Sequence, residues 1–227
     1  MPDAMPESVT LRQSSNINGE INPIQDGLEV QPPVRTVDDF LDDEQRKRIY
    51  AFLCRPTWQF GWKSVPGQET YSFWHKHYAG HKVPDHALKV DQEQPYDCAE
   101  ELRGNAPIIY RFWQALEATA LKGHTLLRCY ANGQPYGSEG AIHTDSISEL
   151  SYTSIYYPHE KWHPNWGGET VFFNKQETDI IASVYPKPNR FVVFAGATPH
   201  VARGVSRICP ALRITLMFKT ELRNGGG

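Results

Sequence analysis

"TLLRCYANGQPYGSEGAIHTDS", residues 125–146, opens the half of the chain whose pattern decides the fold. It begins as a β-rich run, breaks at the turn residues of "GQPYG", and ends in His-Thr-Asp. The same punctuation then repeats. "LSYTSIYYP" (150–158), "GGETVFF" (167–173), "IIASVYP" (180–186), "RFVVFAG" (190–196) and "LRITLMFK" (212–219) are short strand-like runs separated by Gly, Pro, Asn and Asp. Many short strands with turn signals between them predict a compact all-β barrel or sandwich.

Upstream of Gly123 the pattern is different. "APIIYRFWQALEATALKG" (106–123) carries Ile109, Phe112, Trp113, Leu116 and Leu121 on one helical stripe, which predicts an amphipathic helix ended by Gly123. In "VRTVDDFLDDEQRKRIYAFLCRPTW" (34–58), Val34 and Val37 suggest a short strand. Asp42 is placed to cap a second helix with Ile49, Phe52 and Leu53 on its apolar side. The aromatic segment 58–80 is interrupted by Gly and Pro and reads as strands and loops. The expected architecture is mainly β, with two flanking helices packed on the outside of the β core. Residues 1–33 read as a flexible lead-in, 34–222 as one domain with its β core at about 124–220, and 223–227 as a disordered tail.

Composition narrows the classes. The chain has 227 residues, 40% hydrophobic and 12% aromatic, enough for one sizeable core. A net charge of −3 and a pI near 6.3 argue against a nucleic-acid partner, which needs a basic face. No stretch is long and apolar enough to span a membrane, and the N-terminus lacks a basic start and an apolar signal core. Cys54, Cys98, Cys129 and Cys209 show no paired spacing. A reduced, cytoplasmic protein is the expectation, with the oligomeric state left open.

His143 and Asp145 are two apart, so on an extended segment their side chains share a face. Such a pair is equally at home on a polar face looking at water. A second imidazole from "FAGATPHVARGV", His200, would complete two histidines and one carboxylate, the set that suits non-haem Fe(II) and leaves coordination positions open. Alone, His200 is as readily a structural residue. Arg213 lies within an apolar run, where an unpaired charge is costly. Its guanidinium is suited to forking onto a carboxylate.

Residues 124–220 resemble the Fe(II)/2-oxoglutarate dioxygenases, and within them the prolyl-4-hydroxylase-like group. The likeness runs through "RCYANGQPYGSEGAIHTDS", "YTSIYYPHEKWHPNWGGETVFF", "IIASVYPKPNRFVVFAGATPHVARGV" and "LRITLMFK", in that order. The resemblance implies a jelly-roll (double-stranded β-helix, cupin-like) core. It implies His143, Asp145 and His200 as iron ligands, and Arg213 and Tyr157 on the distal carboxylate of 2-oxoglutarate. Tyr130 would line the cosubstrate pocket, and Thr215, on the face of Arg213, would add a hydroxyl. The implied cofactors are Fe(II), 2-oxoglutarate and O2, with ascorbate as accessory reductant. The implied reaction hydroxylates a C–H bond and yields succinate and CO2. The aspartate disfavours halogenation, which in related enzymes needs that ligand position vacant.

Two departures from the family pattern stand out. The interval from His200 to Arg213 is long, with Arg203 and Arg207 nearer, and "SEGAI" lengthens the approach to His143. A small-molecule substrate, such as an amino acid or biosynthetic intermediate, is the leading expectation. A protein side-chain hydroxylase is the alternative, and a non-catalytic metal-binding or sensing barrel is third. In 58–80, the tryptophans and Phe73 are expected in the core and the histidines toward solvent, with some of Trp62, Lys63, Trp74, His75, His77 and Tyr78 walling the mouth. A second metal site from His75, His77, His81 and His86 lacks a recognised spacing. Arg128 suits either an anionic substrate or a structural pair, and Trp162 and Trp166 read as packing residues.

Overall fold

The computed structural model describes residues 34–65, 67–68, 72–80 and 97–223. The lead-in, His81 and His86, and the last four residues lie outside them. Ten strands form two antiparallel sheets. In chain order they are β1 (Val34–Val37), β2 (Gln59–Trp62), β3 (Phe73–Gly80), β4 (His124–Gln134), β5 (Ser151–Tyr157), β6 (Thr170–Phe173), β7 (Ile180–Val184), β8 (Arg190–Ala195), β9 (His200–Ala202) and β10 (Arg213–Leu222). The larger sheet runs β1-β8-β5-β10-β4-β3-β2 and the smaller β7-β6-β9.

The inner faces of the two sheets meet. Phe172 of the small sheet packs among Tyr130, Tyr157, Val192, Phe194 and Met217 of the large one, its ring 4.8 Å from that of Phe194. This is the jelly-roll core, and period-two alternation builds it: Tyr130, Tyr157 and Met217 point inward while Cys129, Tyr156, Leu216 and Phe218 point outward. The outward residues are covered by helices α1 (Asp43–Leu53), α2 (Cys98–Asn105) and α3 (Pro107–Ala118). Asp42 caps α1 as expected, its carboxylate accepting from the Gln45 amide at 2.8 Å. On α3, Ile109, Phe112, Trp113 and Leu116 are all buried, and Phe112 meets Phe218 edge-on at 5.6 Å.

Three expectations change. α2 adds a third helix; Asp97 caps it by accepting from the Ala99 and Glu100 amides. α3 ends at Ala118 rather than at Gly123, because Thr119 leaves the helical region; Leu121 is buried from the turn that follows. In β3 and its surroundings the burial is reversed from expectation. Phe73 is core, but His75 is buried and Trp74 is 37% exposed, because His75 falls on the inner face of the sheet.

The four cysteines are free thiols. Among the described residues, no helix is long and apolar enough to cross a membrane.

Candidate metal centre and anion pocket

His143 and Asp145 do not sit on a regular strand. They belong to an extended loop stitched along β9: His143 and His200 exchange backbone hydrogen bonds at 3.0 and 2.9 Å, and the Asp145 amide donates to the Gly196 carbonyl at 2.8 Å. The pairing sets the two imidazoles side by side, ring centroids 4.5 Å apart. The Asp145 carboxylate faces both, 3.6 Å from His143 Nε2 and 3.5 Å from His200 Nε2. One ligand atom from each residue lies within 4.8 Å of the others.

The ring orientations are fixed from behind. Nδ1 of His143 lies 2.9 Å from the Ala141 carbonyl, and Nδ1 of His200 lies 2.9 Å from the Thr198 carbonyl. A carbonyl only accepts, so each Nδ1 carries a proton, and in the neutral ring Nε2 keeps the lone pair that an ion would take. Asp145 is oriented by Thr153, whose hydroxyl donates to Oδ2 at 2.6 Å, and by an ion pair with Lys219. Burial opposes its negative charge, but Lys219 and the imidazoles outweigh it and hold the carboxyl well below its usual range. Burial pushes His200 down to about 4, against the pull of Asp145. For His143 the same burial is outweighed by the Asp145 hydrogen bond and charge, and its pKa rises. The two histidines share one carboxylate and shift oppositely; a deprotonated Asp145 beside a neutral His200 is the state their geometry supports. Two neutral Nε2 atoms and one carboxylate on a common focus fit a divalent ion such as Fe(II).

The other predicted residues gather deeper in the barrel. Arg213 is 2% exposed. Its Nε donates to the Gly168 carbonyl at 2.5 Å, one terminal nitrogen to Gln134 Oε1 at 2.7 Å and the other to Thr170 Oγ1 at 2.9 Å. Tyr157 joins them: its hydroxyl lies 2.7 Å from Thr170 Oγ1, and the guanidinium carbon sits 5.6 Å from its ring. Thr215 and Tyr130 are buried on the same inner face. The nearer arginines are elsewhere. Arg203 pairs with Glu139 at 3.1 Å on the surface, and Arg207 is exposed. The lengthened segment before His143 runs beside β9, Gly140 donating to the Ala202 carbonyl.

Trp162 is buried and Trp166 meets it edge-on at 5.4 Å, as packing residues do. Gln134, Thr170, Thr153 and Lys219 were not singled out by motif. The available signal was position: Gln134 is two and four residues beyond Asn132 and Tyr130, and Lys219 is six beyond Arg213, so period two puts each on the site's face.

Residues 126–218 match the family model of the 2OG-Fe(II) oxygenase superfamily. No curated protein matches the chain by sequence. Among solved structures, a Pseudomonas putida prolyl-4-hydroxylase superposes with a TM-score of 0.54 at 18% identity, over 85% of this chain and 94% of that one. An oxidoreductase of the 2OG-Fe(II) oxygenase family from Burkholderia pseudomallei gives 0.59 at 16% identity, over 86% and 88%. A Trichoplax adhaerens prolyl hydroxylase, in complex with a hypoxia inducible factor oxygen degradation domain peptide fragment, gives 0.52 at 12%, over 84% of each chain. At these identities the superpositions speak to fold.

Proposed function

Residues 126–218 belong to the 2OG-Fe(II) oxygenase superfamily, and from that premise we propose that the chain hydroxylates a C–H bond of a small molecule, such as an amino acid or biosynthetic intermediate. The observation that carries the cosubstrate assignment is Arg213. Its guanidinium is buried, and all three of its hydrogen-bond acceptors are neutral. A buried cation whose hydrogen bonds go to neutral groups is costly even with the charge of Glu169 nearby, and the distal carboxylate of 2-oxoglutarate would balance it with charge-assisted bonds.

In this reading His143, Asp145 and His200 hold Fe(II). Arg213 and Tyr157 hold the distal carboxylate, with Thr215 and Tyr130 lining the pocket. When bound, iron and 2-oxoglutarate supply the oxidising power, consuming O2 and releasing succinate and CO2. The chain's own work is placement. The Ala141 and Thr198 carbonyls keep both Nε2 atoms free to ligate. Thr153 and Lys219 hold Oδ2 of Asp145, the oxygen nearer His200, and leave Oδ1 turned toward His143. Phe172, Phe194, Val192 and Met217 exclude water behind the ligands. Hydroxylation of a prolyl-type side chain on a protein is the second reading; the prolyl hydroxylases among the structural neighbours favour it.

Succinate release by anaerobically prepared, Fe(II)-loaded protein tests the proposal across free amino acids, other small acids and prolyl peptides. His143→Ala and Asp145→Ala are expected to abolish turnover, and Arg213→Ala to raise the 2-oxoglutarate requirement by about a hundredfold, the cost of a lost buried ion pair. A strong effect from Arg207→Ala instead would refute the clamp. Turnover with prolyl peptides alone would replace the small-molecule reading with the second.

A further inference from the structure

The inner face of the large sheet carries two more cations, at the metal end. Arg128 on β4 and Lys219 on β10 are direct cross-strand partners. Directly opposed residues point to one face. Arg128 lies two residues before Tyr130, so alternation puts it on the inner face; the register slips only beyond it, Thr220 opposing Leu126 and Leu127 being the extra residue, which turns Leu126 outward. Leu126 and Cys129 therefore both pack under the helices, and Arg128 between them is turned into the barrel.

The guanidinium of Arg128 is held by rings, its central carbon 4.5 Å from the Tyr130 centroid and 5.0 Å from that of Trp62. Trp62 in turn stacks on His75 at 4.2 Å. A guanidinium set on aromatic faces loses little further freedom when its N–H groups meet a planar anion. Beside it lies a cleft of about 220 Å³, lined by Gln59, Phe60, Gly61, Trp62, His75 and His77. Lys219 reaches from the opposite strand to Asp145 and Thr153.

Opposed like charges repel. Here Lys219 is paired with a carboxylate, Asp145, which a bound divalent ion would also claim. We propose that Arg128 and Lys219 together seat a substrate carboxylate beside the metal centre, so that the substrate is a free acid of the amino-acid type. This rests on the dioxygenase reading and narrows it. A prolyl residue within a protein, its carboxyl tied in a peptide bond, would not present such a carboxylate.

The test uses the full chain loaded with redox-silent Mn(II) and saturated with 2-oxoglutarate. Tryptophan fluorescence and calorimetry follow titration with each of the common free amino acids, and with the carboxamide of any that binds. At least one acid is expected to bind, with its amide at least about tenfold weaker. Arg128→Gln and Lys219→Gln are each expected to weaken the acid by about tenfold or more, and in Arg128→Gln the 2-oxoglutarate affinity stays within about twofold. Arg128→Lys, which keeps the charge, should recover part of the loss, showing that the Gln variant is not simply misfolded. Equal binding of acid and amide, or no saturable binding of any acid, would overturn the proposal. So would a loss in Arg128→Gln that falls on 2-oxoglutarate, since the seat would then belong to the cosubstrate. Failure of the wild-type protein to bind 2-oxoglutarate at all sinks the dioxygenase reading instead.

Discussion

Gly168 shows how little room there is around Arg213. Its φ is +81°, its carbonyl accepts from Arg213 Nε, and a Cβ built there would lie 3.0 Å from Arg213 Cδ and 3.4 Å from the Trp162 ring. Gly168→Ala places an L side chain in the left-handed region, at about 1–2 kcal/mol, and presses on the Arg213 stem. The expected outcome is a lower melting temperature and weaker 2-oxoglutarate binding, read by titration of the Mn(II) protein; unchanged affinity would mean that the guanidinium is not held by this contact. His159 adds a pH term. It is 1% exposed and its Nε2 accepts from the Ile214 amide at 3.1 Å, so it is neutral in the fold. Burial, then the charge of Arg213, pushes it down to about 3, from an ordinary 6.5. Between those values the unfolded chain binds a proton that the native state refuses. Its contribution therefore lowers stability as pH falls from 6.5 toward 3, and is flat above 6.5. Urea midpoints from about pH 7 to pH 5 should fall less steeply in His159→Gln, whose amide oxygen also accepts and does not titrate. Equal slopes would place the acid sensitivity elsewhere.

At the scale of elements, periodicity placed most of the frame. Alternation locates β4, β5, β8 and β10, and the apolar stripe from Ile109 to Leu116 locates α3. What alternation does not report is where it slips. The bulge at Leu127 turns Leu126 outward where alternation from Arg128 would point it inward, so no single period count assigns the residues on both sides of it. β9 has three residues, too few to show a period, and its pairing with the His143 loop is long-range. The partners of Arg213 come from two separate segments, Gln134 at the end of β4 and Gly168 and Thr170 around the start of β6, that only the closed barrel brings together. Asn189 was legible only as a turn residue in "PKPNRF". In the fold its φ is +60°, and its amide bridges elements: Oδ1 accepts from the Leu41 amide and the Tyr156 hydroxyl, and Nδ2 donates to the Leu41 carbonyl. It thus ties the approach to α1 onto β5 and β8. Asn189→Ala should cost about 2–4 kcal/mol, from polar groups left unsatisfied and from backbone strain. Asn189→Gly removes the bonds without the strain and should cost about 1 kcal/mol less in chemical denaturation. Equal losses would show that the left-handed backbone contributes nothing.

Across the whole molecule, the proposed metal site is where the two sheets are tied. His200 comes from the small sheet, and His143 and Asp145 from the loop bridged to it. Asp145 is held in turn by Thr153 and Lys219 of the large sheet. Without an ion, one buried carboxylate and its cationic neighbours are the polar link across this end of the barrel, flanked by the Phe172–Phe194 contact. An ion bound by all three ligands adds a bond network that exists only when both sheets are in place. It should therefore stabilise the native state and not the unfolded chain. Linkage gives about 4 kcal/mol when free ion exceeds its dissociation constant a thousandfold. For a domain of this size each kcal/mol moves the melting temperature by about 2–4 °C. Mn(II) is thus expected to raise the melting temperature by roughly 8–16 °C in the wild-type protein, reversibly on adding a chelator. His143→Ala removes one ligand but leaves Asp145, Thr153 and Lys219 in contact, so the metal-free variant should melt near the metal-free wild type and lose most of the Mn(II) shift. A full shift in that variant would put the ion somewhere other than between His143, Asp145 and His200, and the tie between the sheets would have to be sought there.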